Sequence, residues 1–243
     1  MKIKFIGKCL LLEEKGKRVF VIGDLHLGYV GSMRESGILV PSGIYNDMIN
    51  ELDKIFENIG KADKVVLLGD LKHEFGRILQ EEWKEVLGFI DYLREKCGEI
   101  IVVRGNHDAT LDSILKQRNL KGASYFIWEN TAFLHGDRDF DFVNGKEIKI
   151  WVIGHAHPAV VIEEKRGGKK EKYKCFLDGK YLGKRVIIVP SFFSLNEGTD
   201  VRDLSGNDLG LAWNFDLKKF DVKIAGDGLE VLDFGKLKGL RKS

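Results

Sequence analysis

The stretch Ile100-Ile101-Val102-Val103-Arg104-Gly105-Asn106-His107-Asp108 decides how the rest of the chain is read. Its first four residues are apolar and β-branched, the composition of a buried strand. A glycine that permits a tight turn, an amide, an imidazole and a carboxylate follow almost at once. In open α/β sheets ligands bind at such strand ends, where the loops are exposed but held by a rigid sheet.

The same grammar recurs upstream. Lys2 to Leu12 and Arg18 to Ile22 read as two strands joined by a polar turn, and the second runs into Gly23-Asp24-Leu25-His26. A loop containing Gly28, Gly31 and Gly37 leads to Pro41-Ser42. Ile44, Met48, Leu52, Ile55 and Ile59 then recur at helical spacing, with Ser42 as the expected N-cap. Lys64 to Leu68 reads as a strand ending in Gly69-Asp70, and a helix from about Leu79 to Cys97 leads back to the opening strand. A short helix is expected near Leu111 to Gln117. Repeated β-α-β units favour parallel strands with right-handed crossovers.

After residue 120 the chain turns to short strands, at Tyr125 to Trp128, Thr131 to His135, Lys149 to Ile153 and Arg185 to Val189. Hairpins are expected around Arg166-Gly167-Gly168-Lys169 and Gly226-Asp227-Gly228. No internal repeat or Pro- and Ser-rich linker interrupts the sequence. Residues 1–243 therefore read as a single domain with a β-rich C-terminal part from about residue 195.

Composition narrows the class. The chain is 44% hydrophobic and 31% charged, which fits a globular protein, and its net charge of +2 gives no bulk attraction to nucleic acid or membranes. Three widely spaced cysteines form no C-x-x-C pair, so neither a disulfide framework nor a cysteine zinc site is indicated. With no apolar run of membrane length and no signal-peptide pattern, a cytoplasmic location is expected.

The six histidines point to chemistry. Five of them, His26, His107, His135, His155 and His157, fall at strand ends, and His73 lies three residues beyond Asp70. Strand alternation sends the two rings of His155-Ala156-His157 to one side. Asp, His and Asn donors without thiolates suit borderline to hard divalent metals such as Mn, Fe or Zn. The pattern fits a two-metal centre, with ions roughly 3.5–4 Å apart, that clamps an anionic oxygen.

The blocks Gly23-Asp24-Leu25-His26, Gly69-Asp70, Gly105-Asn106-His107-Asp108, His135 and Gly154-His155-Ala156-His157, in this order, resemble the calcineurin-like metallophosphoesterase superfamily. Asp24-Leu25-His26-Leu27-Gly28, Gly37-Ile38-Leu39-Val40-Pro41 and Gly69-Asp70-Leu71-Lys72-His73 are similar to archaeal phosphoesterases related to the SbcD nuclease. The likeness runs from about residue 10 to residue 200. It implies a four-layer α/β/β/α sandwich of two mixed sheets. It also implies two divalent metal ions, Mn first, with Fe, Zn, Ni or Co as alternatives. Asp24, His26 and His157 would hold one ion, Asn106, His135 and His155 the other, and Asp70 would bridge them. The implied activity is phosphoester hydrolysis by attack of a metal-bridging hydroxide. His107 would serve the leaving oxygen as catalytic acid, and Asp108 would orient it. His73 is a candidate substrate-binding residue at the rim.

Phosphodiesters, nucleic acid or nucleotide, are the favoured substrates. A cyclic-nucleotide or small-molecule phosphatase or phosphodiesterase is the alternative within the enzyme class. A non-catalytic metal-binding interaction scaffold is the alternative outside it, although such proteins tend to lose ligands that this chain retains. Nuclease relatives usually carry a further C-terminal capping domain, and 243 residues leave little room for one. The sequence does not fix the oligomeric state. Basic residues between Lys165 and Arg185 and in the tail after Gly235 read as a solvated hairpin and a frayed end before they read as phosphate contacts.

Overall fold

Apolar alternation and strand register together set the architecture of this computed structural model, which describes residues 1–41, 43–163, 168–203, 209–226 and 228–240. The first sheet runs in the order β1 (Lys2–Ile6), β2 (Cys9–Glu14), β3 (Lys17–Ile22), β4 (Ala62–Leu68), β5 (Cys97–Val103) and β6 (Gly122–Ala123). Its first three strands are antiparallel and β3 to β6 are parallel. Four helices lie between these strands: α1 (Tyr29–Glu35), α2 (Ile44–Ile59), α3 (Gln80–Lys96) and α4 (Asp112–Leu115).

The second sheet holds β7 (Tyr125–Trp128), β8 (Thr131–Leu134), β9 (Ile150–Ile153), β10 (Pro158–Glu163), β11 (Lys170–Tyr181), β12 (Lys184–Ile188) and β13 (Thr199–Asp200). Its order is β13-β10-β11-β12-β9-β8-β7, and a hairpin of β14 (Asp221–Ala225) and β15 (Val231–Lys236) pairs onto β11. This is a mixed α/β fold of two mixed sheets, as the sequence leads one to expect.

Side chains alternate between layers because the strand period is two. Val19, Val21, Val66, Leu68 and Val103 face Phe133, Val152, Phe176, Ile187 and Val189 in a buried layer between the sheets. Phe20, Ile22, Val65 and Leu67 point the other way, onto Met48, Leu52 and Ile55 of α2 and Val86, Phe89 and Ile90 of α3. The outer face of the second sheet is covered by 3-10 turns and loops that contribute Val143, Leu211, Phe215 and Leu217.

Register brings the loops together. Val21, Val66 and Ile101 are level across β3, β4 and β5, so the loops that follow these strands leave the sheet at one edge. Leu134, Ile153 and Ile188 are level across β8, β9 and β12 in the second sheet.

Local readings differ from the structure in three places. The apolar run from Lys2 is a hairpin, folded at Gly7, whose φ is 52°. The turn is marked only by Gly7-Lys8, a two-residue break in the apolar pattern. The glycine-containing loop after β3 includes the short helix α1, and α2 begins after Gly43, which is the N-cap. Ser42, Glu164 to Gly167 in the first expected hairpin turn, Asp227 in the second, and Arg241 and Lys242 of the tail lie outside the described residues.

Candidate metal centre

Asp24 follows β3 and is fully buried. Its backbone carbonyl accepts hydrogen bonds from Phe192 N (3.1 Å), Phe193 N (3.2 Å) and Ser191 Oγ (3.0 Å), which tie it to the second sheet. Its Oδ1 lies 3.0 Å from His157 Nε2 and 3.7 Å from His135 Nδ1. Burial favours its protonated form, but these two imidazoles outweigh burial and hold the carboxyl below its usual range.

Asp70 occupies the equivalent turn after β4. Its backbone carbonyl accepts Leu25 N (3.1 Å) and His26 N (2.9 Å), and its Oδ1 accepts His107 N (3.0 Å). Oδ2 lies 3.4 Å from His135 Nε2 and 3.9 Å from His107 Nε2. Its pKa is also lowered, again because His135 overcomes the cost of burial.

His135 accounts for the opposite shift. Burial opposes its charge, yet Asp70 and Asp24 raise its pKa to about 10. Its Nδ1 donates to Leu68 O (2.8 Å), so Nε2 is turned toward Asn106 Oδ1 (3.0 Å) and His155 Nδ1 (3.1 Å). A backbone carbonyl accepting from one ring nitrogen is the usual way a protein aims the other nitrogen at a metal. His26 is desolvated beside His157, which depresses its pKa to about 3, and its buried Nδ1 has no hydrogen-bond partner. An unprotonated, unpartnered buried imidazole nitrogen is poised to be a ligand.

Two donor groups result, Asp24-His26-His157 and Asp70-His135-His155, each with ligand atoms within 4.8 Å of one another. The donors are carboxylate and imidazole, a set that fits a divalent ion of borderline or hard character. His26, His73 and His107 form a third group of the same compactness.

The backbone is strained where these donors sit. Among the described residues only eight non-glycines have a φ in the left-handed region, and four are His26 (45°), Asp70 (46°), His155 (66°) and His157 (43°). Such conformations cost about 1–3 kcal/mol each and concentrate at functional sites. Gly105 has its own requirement. A Cβ there would overlap Asp70, so close approach rather than a tight turn demands the glycine.

All the metal-ligand candidates and His107 converge at this edge. His107 Nδ1 makes a close contact with His73 O, and Phe75 covers its ring at 3.6 Å between centroids. The His73 ring stacks against it at 5.6 Å and lines the same cavity as His107. Asp108 has a different role from the one expected. Its carboxylate turns away from the imidazole and accepts Gly105 N (2.9 Å), Lys72 N (3.2 Å) and Leu71 N (3.3 Å). It braces the Asp70 turn against the Asn106 turn, and His107 is oriented instead by the His73 carbonyl and Phe75. Burial and the charge on Asp70 raise the Asp108 pKa to about 7.

Three participants escaped sequence reading. Asn196 Nδ2 donates to His157 Nδ1 (2.7 Å), and its Oδ1 accepts Gly198 N (2.8 Å). Buried Glu82 accepts His73 N and Glu74 N (both 2.9 Å), fixing the loop that reaches His107. Its place three residues after Leu79 at the start of α3 is the position of a capping glutamate, a signal legible in the sequence. Tyr29, the first residue of α1, lines the cavity beside the centre.

A family model for calcineurin-like phosphoesterases matches residues 17–227. Among solved structures, the nuclease MPE of Pseudomonas putida aligns over 95% of this chain and 100% of its own, with a TM-score of 0.58 and 16% identity. Wild-type Vps29 of Entamoeba histolytica complexed with zinc aligns over 89% of this chain and 99% of its own, with a TM-score of 0.39 and 16% identity. Comparison with curated proteins gives no match. With its family model spanning most of the sequence and its donor blocks gathered at one sheet edge, the chain belongs to the calcineurin-like phosphoesterase family.

Proposed function

We propose that this chain is a binuclear, divalent-metal-dependent phosphodiesterase acting on nucleotides or nucleic acid, with manganese as the first metal to test. The observation that carries the two-metal reading is the place of Asp70, whose Oδ2 faces His135 while its backbone carbonyl and turn hold His26 of the other donor group. Asp24, His26 and His157 would hold one ion and Asn106, His135 and His155 the other, with Asp70 shared. When bound, such ions supply Lewis acidity that activates water and neutralises phosphoryl charge.

The protein groups do the rest. His107 stands at the cavity wall with its Nδ1 against a backbone carbonyl, which leaves Nε2 to give a proton to the departing ester oxygen. Asp108, through the backbone it braces, keeps Asn106 and Asp70 in register. Asn196 fixes the His157 ring.

A diester is favoured over a monoester by the walls of the adjoining cavity. It is lined by Tyr29, Phe193 and Leu195 besides the histidines, and no lysine or arginine is among its described lining residues. A monoanionic diester with an organic second substituent suits such a wall better than a dianionic monoester. The basic hairpin and tail add little, since Lys172 faces Glu197 (3.4 Å) and Lys236 faces Asp221 (2.7 Å). No described helix is long and apolar enough to cross a membrane.

The test is a hydrolysis panel on manganese-loaded protein with mono- and bis-p-nitrophenyl phosphate, cyclic nucleotides, and single- and double-stranded DNA. Faster turnover of diesters than monoesters, abolished by Asp70→Asn, is expected. Retained turnover in Asp70→Asn would overturn the shared-ligand role, and no turnover across the panel would favour the metal-binding scaffold.

A further inference from the structure

The cavity beside the His26–His157 corner has a volume of about 540 Å³, within the range of small-molecule sites. Its lining includes His26, His107 and His157, an apolar wall of Tyr29, Phe193 and Leu195, and the polar side chains of Asn196 and Glu197. Phe193 is 3% exposed, so it backs the wall without offering much surface. It meets Tyr29 at 5.0 Å between ring centroids, and the His73 ring meets Tyr29 edge-on at 4.6 Å. Tyr29 thereby packs against two rings and remains partly exposed at the cavity. Leu195, 39% exposed, adds a second apolar contact.

The polar groups around this wall are unevenly used. Asn196 is committed to His157 and Gly198, which pins the loop carrying Leu195. The Tyr29 hydroxyl makes no hydrogen bond to any described residue. An aromatic side chain with one free hydroxyl, lining the same cavity as His107, matches a flat ring that has hydrogen-bonding edges. An alkyl chain would have no use for the hydroxyl, and a second phosphate would find no lysine or arginine among the described lining residues.

We propose that this cavity is the subsite for a nucleobase attached to the scissile phosphate, with Tyr29 as its stacking platform and Leu195 as its apolar edge. The assignment rests on the phosphodiesterase reading and narrows it to substrates with a nucleoside next to the cleaved bond. Base–aromatic stacking of this kind typically changes affinity by roughly 10-fold to 100-fold on removal of the ring.

Calorimetry on manganese-loaded protein can test the subsite without turnover. The probes are deoxyadenosine 5′-monophosphate, deoxyribose 5-phosphate and n-octyl phosphate, which share a phosphate and differ in what it carries. The nucleotide should bind at least about 10-fold more tightly than the base-free sugar phosphate. Tyr29→Ala should bring that ratio close to one, and Tyr29→Phe should keep most of it. Equal affinities in the wild-type protein, or no binding of either ligand, would overturn the proposal. So would octyl phosphate binding as tightly as the nucleotide, or a Tyr29→Ala variant that weakens both phosphates in the same proportion. Because these readouts need no hydrolysis, an inactive panel with base-dependent binding would reject the enzyme reading alone. Active hydrolysis without base-dependent binding would reject the subsite alone.

Discussion

At the scale of single residues, His107 and Asp108 are neighbours in sequence with separate tasks. His107 presents its ring to the cavity, whereas Asp108 is 1% exposed and spends its carboxylate on three backbone N–H groups. Consecutive side chains in a turn point apart, so adjacency in the sequence is a poor guide to which group orients which. His107→Asn is expected to lower kcat on a diester by about 10²- to 10⁴-fold while metal content by elemental analysis stays at the wild-type ratio. Loss of metal would mean that His107 is itself a ligand. Asp108→Asn should act on stability, because an amide nitrogen cannot accept the N–H bonds that a carboxylate oxygen accepts. A loss of about 1–3 kcal/mol in urea denaturation is expected. A fall in kcat at unchanged stability would instead restore the orienting role.

At the scale of elements, the design is three parallel strands that end level and turns that put donors in conformations side chains rarely adopt. Much of this is legible in the sequence, because an apolar run followed by Asp24, Asp70 or Asn106 marks both the strand and its functional end. The rest depends on tertiary contact. Asn196 acts on a histidine 39 residues away, and Tyr29 belongs to a short helix hidden among glycines. The hairpin at Gly7 is marked only by the two-residue break Gly7-Lys8, which is too short to tell a turn from one continuous strand by pattern alone. The left-handed turns give a direct test of strain at the site. His157 has a φ of 43°, where glycine is tolerated and alanine is disfavoured by roughly 1–2 kcal/mol. Metal-free His157→Gly should therefore unfold at higher urea than metal-free His157→Ala, by about 1 kcal/mol. Equal stabilities would show that the turn relaxes once the imidazole is gone.

At the scale of the whole molecule, the centre lies where the two sheets meet, and a short segment after β12 helps to fasten them. Ser191, Phe192 and Phe193 donate to the Asp24 carbonyl of the first sheet, and two lysines hold the other side of the same segment. Lys8 from the β1–β2 turn donates to Phe192 O (2.9 Å), and Lys174 of β11 donates to Ser191 O (2.9 Å) and Phe193 O. Burial, reinforced by the nearby Lys8 charge, lowers the Lys174 pKa to about 7, against the pull of Glu51 and Asp24. A neutral amine still has two N–H donors, one for each carbonyl. The sign of the linkage follows. The unfolded chain keeps this proton up to about pH 10.4, whereas the folded chain releases it near pH 7. Between those values the unfolded state binds more protons, so stability gains with rising pH. Below pH 7 both states are protonated and the full penalty of the buried charge applies. Lys174→Met abolishes this titration and leaves the others in place. The stability of the wild-type protein minus that of Lys174→Met should therefore rise by on the order of 2–4 kcal/mol from pH 7 to pH 10. Urea denaturation at a series of pH values reads this difference directly. A flat difference would mean that Lys174 stays charged when folded, and that the segment joining the sheets is held by an ammonium group throughout.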